Sequence, residues 1–248
     1  MWCHNPEGIS FSKELMIRFD ACISCGKCTE VCVNEECVTC GNCVDVCSLR
    51  LRKISGQEIE AKVLAKKLLK GKDVLITSGG GITISGGEPL AQPAFLFDLI
   101  QQLKPVHIAI ETSGYAKNKV FQTMVSEIDL VIMDIKHTDP QIHKKYTGVN
   151  NRLIIENLKF LCQSDTDFHV RIPLIPGVND TLDNMEKTAL LIHDAKHLIR
   201  VELLPYHQTA GAKYPLLGKI YNPEFNINKK VNVYKDVFEN YNINVIIL

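Results

Sequence analysis

The sequence has no excess of either charge: Lys and Arg together number 28, Asp and Glu number 28, and the formal net charge is +0. A balanced chain sets up no field that would draw it to nucleic acid or to an anionic membrane. It also lacks an apolar run approaching the length of a spanning helix, which takes roughly 20 residues. The opening stretch, Met1 to Ile9 (MWCHNPEGI), lacks the pattern of a secretory signal. No linker rich in Pro, Gly or Ser divides residues 57–248, and no repeat occurs there. At 248 residues, 46% of them hydrophobic, the chain can bury one large core beside a smaller unit.

Cysteine, by contrast, is abundant and concentrated. Eight of the ten cysteines fall within residues 22–47, in two runs of identical spacing. Cys22, Cys25, Cys28 and Cys32 read C-x2-C-x2-C-x3-C, and Cys37, Cys40, Cys43 and Cys47 repeat it. Thiolates are soft ligands suited to iron–sulfur cores, and this spacing is that of a segment wrapping two 4Fe–4S clusters. The fourth cysteine of each run serves the other cube. One cube is therefore expected on Cys22, Cys25, Cys28 and Cys47, the other on Cys37, Cys40, Cys43 and Cys32. The short link of four residues between Cys32 and Cys37 fits, because both would bind the same cube. Proline, usual after each fourth cysteine, is missing: Val33 and Ser48 stand there. Zinc and disulfides compete for the same residues. Zinc favours pairs of C-x2-C with a longer gap between them, and disulfides suit secreted chains. Oxygen-sensitive clusters without an export signal point to the cytoplasm of an anaerobic cell.

After the cysteines the pattern changes. In residues 57–70, Ile59, Val63, Leu64 and Leu68 form one helical stripe, with Gly71 closing the helix. Strands and helices then alternate. Strands are expected at 82–85, 106–111, 130–134, 168–172, 199–203 and 243–248, and helices at 93–103, 117–126, 152–162, 182–195 and 229–239. Short apolar strands alternating with helices imply an α/β fold, a parallel sheet with helices packed outside, and the count suits a partial or full barrel. Sites in such folds lie at the carboxyl ends of strands. Five consecutive strand ends here carry polar or glycine-rich residues: SGGEP at 85–89, Glu111-Thr112-Ser113-Gly114, Asp134-Ile135-Lys136, Arg171, and LLPYH ending in His207. Lone glycines or polar residues at strand ends usually make turns or surface; five in succession indicate a site.

These segments carry a resemblance. WCHNPE at 2–7, the cysteine insert, ISGGEPL at 84–90, ETSGY at 111–115, DLVIMDIK at 129–136, YTGVNN at 146–151, RIPLIPGVND at 171–180 and ELLPYH at 202–207 occur in one order over most of the chain. They resemble the radical S-adenosylmethionine (SAM) enzymes that install a glycyl radical in a partner enzyme, pyruvate formate-lyase activating enzyme-like proteins. The insert resembles the subgroup with extra clusters, which includes activases of dehydratases and carbon–nitrogen lyases. The resemblance implies a partial TIM-like (β/α) radical SAM barrel over residues 57–248 and a ferredoxin-like domain with two 4Fe–4S clusters over 13–56. Residues 1–12 would be the remnant of a further, SAM-binding cluster loop.

The resemblance also implies a mechanism. SAM chelates an open iron of a separate 4Fe–4S cluster, one electron cleaves it, and the 5′-deoxyadenosyl radical takes hydrogen from a glycine of the partner glycyl-radical enzyme. Gly86, Gly87 and Glu88 would line the SAM amino group. Lys136, with Arg171, would offset its carboxylate. His207 and Asp134 would lie near the ribose, and Glu111 with Asp134 would hold a monovalent cation. No side chain need act as acid, base or nucleophile. The insert clusters would pass electrons inward from reduced flavodoxin or ferredoxin.

One departure stands out. The family's C-x3-C-x2-C loop ends in the cysteine of WCHNPE, here Cys3, and its two earlier cysteines and the first barrel strand are not in the chain. The resemblance thus implies either a shortened chain or a degenerate member retaining only electron transfer. The intact downstream site favours the first, and this polypeptide is then expected to be inactive in SAM cleavage. A radical SAM enzyme acting on another substrate is the third reading. Among single residues, Cys162 is expected as a buried small hydrophobe beside Leu158 and Leu161, and His193 and His197 as solvated. Lys66, Lys67, Lys70 and Lys72 read as an exposed face, with docking of an acidic flavodoxin as the alternative. Trp2 either packs over a cluster or frays with the terminus.

Overall fold

Two units divide the chain of this computed structural model, which describes residues 3–248. The smaller comprises the described part of Trp2–Glu58 together with Gln208–Pro223, and the larger Ile59–His207 with Glu224–Leu248. The sequence boundary at 56/57 thus falls two residues early, and residues 208–223, expected in the barrel, belong with the N-terminal unit. Trp2 lies outside the described residues.

The smaller unit rests on a two-stranded antiparallel ribbon that the sequence pattern does not announce, β1 (Glu14–Ile17) and β2 (Arg52–Ser55), in register from Glu14↔Ser55 to Ile17↔Arg52. Each strand is four residues long, too short for alternation to stand out in sequence. Ser55 Oγ closes the ribbon by accepting from the Glu14 N–H at 3.0 Å and donating to its carbonyl at 3.1 Å. Residues 208–223 are tied on by Lys213, which meets Asn5 Oδ1 at 2.6 Å and Glu7 Oε1 at 2.7 Å, and by Lys219, 2.6 Å from Glu14.

Between the two strands the chain traces one loop twice. Ser24 and Thr39 both have φ of 53°, Gly26 and Gly41 have φ of 78° and 92°, and one-turn helices follow, α1 (Lys27–Glu30) and α2 (Asn42–Asp45). Glycine is needed at 26 and 41 because that backbone disfavours any Cβ. The repeated spacing of the cysteines is thus a repeated backbone.

In the larger unit, α3 (Ala61–Leu68), α4 (Lys72–Thr77), α5 (Pro93–Leu103), α6 (Asn118–Val125), α7 (Pro140–Thr147), α8 (Arg152–Gln163), α9 (Leu182–Ile192) and α10 (Lys235–Glu239) accompany six strands. These are β3 (Gly81–Ile84), β4 (His107–Thr112), β5 (Leu130–Asp134), β6 (Asp167–Leu174), β7 (Leu198–Pro205) and β8 (Val245–Ile247). All pair in parallel, in chain order β3-β4-β5-β6-β7-β8. This is the α/β partial barrel expected from the alternation. Side chains alternate across each strand. Ile108 and Ile110, Val131 and Met133, Phe168, Val170 and Ile172, and Val201 and Leu203 are buried in the core with the helices. Glu111, Ile132, Asp134, His169, Arg171, Arg200 and Glu202 stand at the alternate positions.

Three helix expectations are corrected. In α3 the buried residues are Ala61 and Ala65, with Leu64 and Leu69 packed beside them, whereas Val63 is 44% exposed. Alanines let the helix approach α5 closely, so bulk is the wrong guide to the inner face. The helix expected at 229–239 shrinks to Lys235–Glu239 because Asn232 is held in a loop by Asp180, its N–H 2.9 Å from Oδ2. Helix α7 is an addition, although its signals are present in the sequence. Asp139 caps the Gln141 and Ile142 N–H groups at 2.8 and 2.9 Å, Pro140 opens the first turn, and Gly148 ends it with φ of 87°.

Candidate functional site

The loop pair of the smaller unit surrounds two cavities. Cys22, Cys25, Cys28 and Cys47 line one, and Cys32, Cys37, Cys40 and Cys43, with Cys28, line the other. Leu15, Ile17, Ile54 and Arg52 of the ribbon lie against them, and Arg52 borders both. Backbone N–H groups point at sulfur, from Ser24 to Cys22 and from Leu51 to Cys47, each at 3.4 Å. All ten cysteines are unpaired. A zinc ion would draw four ligands to about 2.3 Å from one point. Among the described residues no three His, Cys, Asp or Glu side chains converge so closely. Soft donors spread round a cavity fit a larger iron–sulfur core. Burial lowers the Arg52 pKa, but the Cys28 and Cys43 sulfurs beside it outweigh this and hold it above its ordinary value. Cys3 belongs to the same unit and accepts the Asn5 N–H at 3.4 Å. Cys162 stands apart: burial pushes its thiol up to about 11, so it is an inert packed residue.

In the larger unit the five loaded strand ends do lie side by side, because the strands are adjacent in chain order. Their geometry refines the roles expected of each residue. Gly86 has φ of 137°, a backbone that only glycine takes readily, and a Cβ there would meet nothing within 4 Å. The Glu88 carboxylate is saturated by the protein. Its Oε1 accepts from the Leu90 N–H at 3.1 Å and Thr112 Oγ1 at 2.6 Å, and its Oε2 from the Ser113 N–H at 2.9 Å and Oγ at 2.5 Å. Glu88 therefore ties the 85–89 loop to the end of β4.

Glu111 and Asp134, expected to hold a monovalent cation together, each have protein partners of their own. Glu111 pairs with Arg171 and accepts from Ser85 Oγ at 2.6 Å, while Asp134 Oδ2 lies 3.3 Å from Lys136 Nζ. Asp134 Oδ1 is buried with no hydrogen-bond partner, an acceptor whose capacity the protein leaves unfilled. Arg171 is engaged on two sides, by Glu111 and, at 2.8 Å, by Glu202. Lys136 pairs with Asp134 alone among the carboxylates of the described residues. His207 lies two residues beyond β7 and is exposed.

Residues that sequence reasoning does not single out complete the arrangement. Glu202 is 1% exposed, and Arg200 reaches its Oε1 with Nε at 2.9 Å and Nη2 at 2.8 Å. Burial alone would raise this carboxyl, but hydrogen bonds from Arg200 and Arg171 leave it below its usual range. His169 Nδ1 lies 3.1 Å from the same oxygen, and burial lowers its pKa. Polar residues two apart on apolar strands, His169/Arg171 and Arg200/Glu202, are a readable signal of one shared face.

Buried amides fix the loops. Asn157 donates to Gly114 and Ala116 carbonyls at 2.8 and 2.9 Å. Asn179 donates to Lys136 and Pro173 carbonyls, each at 2.7 Å, and accepts the Ile175 N–H at 2.6 Å. Nothing in a single sequence separates these asparagines from surface ones.

Comparisons with known proteins agree with this architecture. Residues 28–192 match the Radical SAM superfamily model. The trans-4-hydroxy-L-proline dehydratase activating enzyme of Clostridioides difficile is 34% identical over 98% of this chain and 88% of its own length. The choline trimethylamine-lyase activating enzyme of Oleidesulfovibrio alaskensis is 34% identical over 91% and 80%. Among solved structures, a domain of pyruvate-formate lyase-activating enzyme from Bacteroides vulgatus superposes with a TM-score of 0.54 at 27% identity, over 68% of this chain and 99% of that domain. No helix among the described residues is long and apolar enough to cross a membrane. With the family model and these relatives in agreement, the chain belongs to the radical SAM superfamily, among its glycyl-radical enzyme activating enzymes.

Proposed function

We propose that this chain carries the SAM-binding end of a glycyl-radical enzyme activase at the ends of β3–β7. Cleaving SAM and removing hydrogen from a partner's glycine would need the full C-x3-C-x2-C cluster loop, of which Cys3 is here the one cysteine. Bound there and given one electron, SAM supplies the hydrogen-abstracting chemistry. The protein's own residues bind and orient it. The 85–88 loop offers backbone at Gly86 and Gly87, Lys136 meets the carboxylate, and Asp134 accepts from a ribose hydroxyl or an amino group. Glu111, Arg171 and Glu202 form a rigid charged row beneath, held by mutual pairing. His207 at the end of β7 would complete the nucleoside side. The observation that carries this reading is the buried, unpartnered Oδ1 of Asp134 beside Lys136.

The cysteine loops would hold two 4Fe–4S clusters that receive electrons from a reduced flavodoxin or ferredoxin, and unpaired thiols fit a reducing cytoplasm. The partner would be a glycyl-radical enzyme of the dehydratase or carbon–nitrogen lyase type, as the relatives' names indicate for those proteins.

The test is SAM binding to the anaerobically reconstituted full chain, followed by calorimetry. Asp134→Asn should weaken binding about ten-fold, or about 1.4 kcal/mol, and Lys136→Met at least as much, with thermal unfolding unchanged. A folded, reconstituted chain indifferent to SAM would overturn the reading.

A further inference from the structure

We infer that Arg52 is a shared redox-tuning residue, one guanidinium that sets the reduction potentials of both clusters of the smaller unit. The inference rests on the two-cluster reading above. Four ribbon side chains line the cavities: Leu15 and Ile54, which face each other in register, and Ile17 and Arg52, which do likewise. Three are aliphatic and the fourth is a cation. Packing alone would be served by a fourth aliphatic residue, and a half-buried charge costs free energy unless something compensates it.

The thiolates supply that compensation. Arg52 and Cys28 are the two residues that border both cavities. The guanidinium lines one cavity with Cys28 and the other with Cys28 and Cys43, two sulfurs that the ligand sets assign to different cubes, and the nearby thiolates hold its pKa above the ordinary value. Arginine suits the position because its rigid fork can donate in two directions at once and stays charged. The cysteine loops repeat, but the arginine does not: Lys53 beside it is exposed on the other side of the strand. A single cation thus serves a duplicated site.

The direction of the effect follows from charge. A cube with four thiolates is anionic and gains one more negative charge on reduction. A neighbouring cation favours the reduced form, and hydrogen bonds to sulfur act in the same sense. Placed between two cubes, Arg52 raises both potentials and screens the electron on one cube from the electron on the other. Both cubes thereby become easier to fill from a donor of modest reducing power.

The experiment is an EPR-monitored redox titration of the anaerobically reconstituted full chain, wild type against Arg52→Met, with iron and sulfide counted first. The expected result is equal cluster content and, at the poise where the wild-type cubes are half reduced, at least a ten-fold lower ratio of reduced to oxidised form. That ratio is a fall of about 59 mV for one electron, and it should appear in both cubes. Arg52→Lys keeps the charge without the fork and should fall less. Should Arg52→Met fail to hold clusters, Arg52→Gln, neutral and still a donor, carries the same comparison with a smaller expected fall. Midpoints unchanged in a cluster-replete neutral variant, or a shift confined to one cube, would overturn the shared role. A wild-type chain without two clusters would instead overturn the ligand reading itself.

Discussion

The cysteine loops and the strand ends are built on opposite principles. The loops carry their chemistry in side chains that make few bonds within the protein, on a backbone shaped by four left-handed residues. The strand ends carry theirs in side chains already bound to one another, on loops clamped by buried Asn157, Asn179 and the four-fold acceptor Glu88. A metal centre can organise its own ligands, because metal–thiolate bonds are strong enough to order a short loop. A small organic ligand offers only hydrogen bonds and charge, so the protein must arrange the site beforehand. Backbone conformation does the work in one region, buried amides in the other.

The strongest way to break this contrast is to remove a ligand from the loops. Cys47→Ser should cost about four irons per chain, the content of one cube, and leave the larger unit's urea unfolding unchanged. The loss should fall on the same cube as that caused by Cys22→Ser, and a double variant should lose no further iron. Loss of a different cube in the two single variants would break the exchanged ligand set.

The converse change is Asn179→Ala. It leaves the Ile175 N–H and the carbonyls of Lys136 and Pro173 without their partner. Unsatisfied buried groups of this kind cost roughly 1–3 kcal/mol each, and relaxation reduces their sum, so unfolding should shift by about 3 kcal/mol. Iron content should not change.

pH should sharpen the same division by a smaller step. His137, His143 and His169 are each at most 5% exposed, and burial, the first cause in every case, lowers their pKa values below the ordinary 6.5. The unfolded chain therefore binds more protons than the folded one once pH drops below about 6.5. Stability of the larger unit should be full above that pH and decline as pH falls toward the depressed folded values, as read by the urea midpoint. Three His→Gln variants combined should flatten the decline.

The smallest effect is expected at Val63. Its side chain is 44% exposed on α3, so Val63→Ser should move unfolding by no more than about 0.5 kcal/mol. Ala65→Leu, two residues on and on the buried side, should cost about 1–3 kcal/mol by overpacking.

Legibility follows the same line. The repeated cysteine loop is legible in the sequence because the constraint is local: identical spacing goes with the same left-handed backbone at Ser24 and Gly26 and again at Thr39 and Gly41. The six strands are legible because apolar runs between helices leave few alternatives, and Leu130–Asp134 and Pro93–Leu103 match their expected bounds to the residue. The expected 229–239 helix is too long because its first half is held by Asp180, 52 residues back in sequence. The role of Glu88 is hidden for a similar reason. A carboxylate in a glycine loop reads as a ligand, and only the fold shows Thr112 and Ser113 taking it.

The chain by itself determined what is covalent and periodic: thiolates at fixed spacing, left-handed glycines, and the alternation that makes a parallel sheet. The tertiary structure decided which charges remain available. Neutralisation acts through space across several strands, so Arg171 is committed to two carboxylates, Lys136 to one, and Asp134 keeps an oxygen unpaired. It also decided that Arg52, an inconspicuous residue at the edge of a four-residue strand, stands between two sets of thiolates, because cross-strand register, not sequence spacing, sets which side chains share a face.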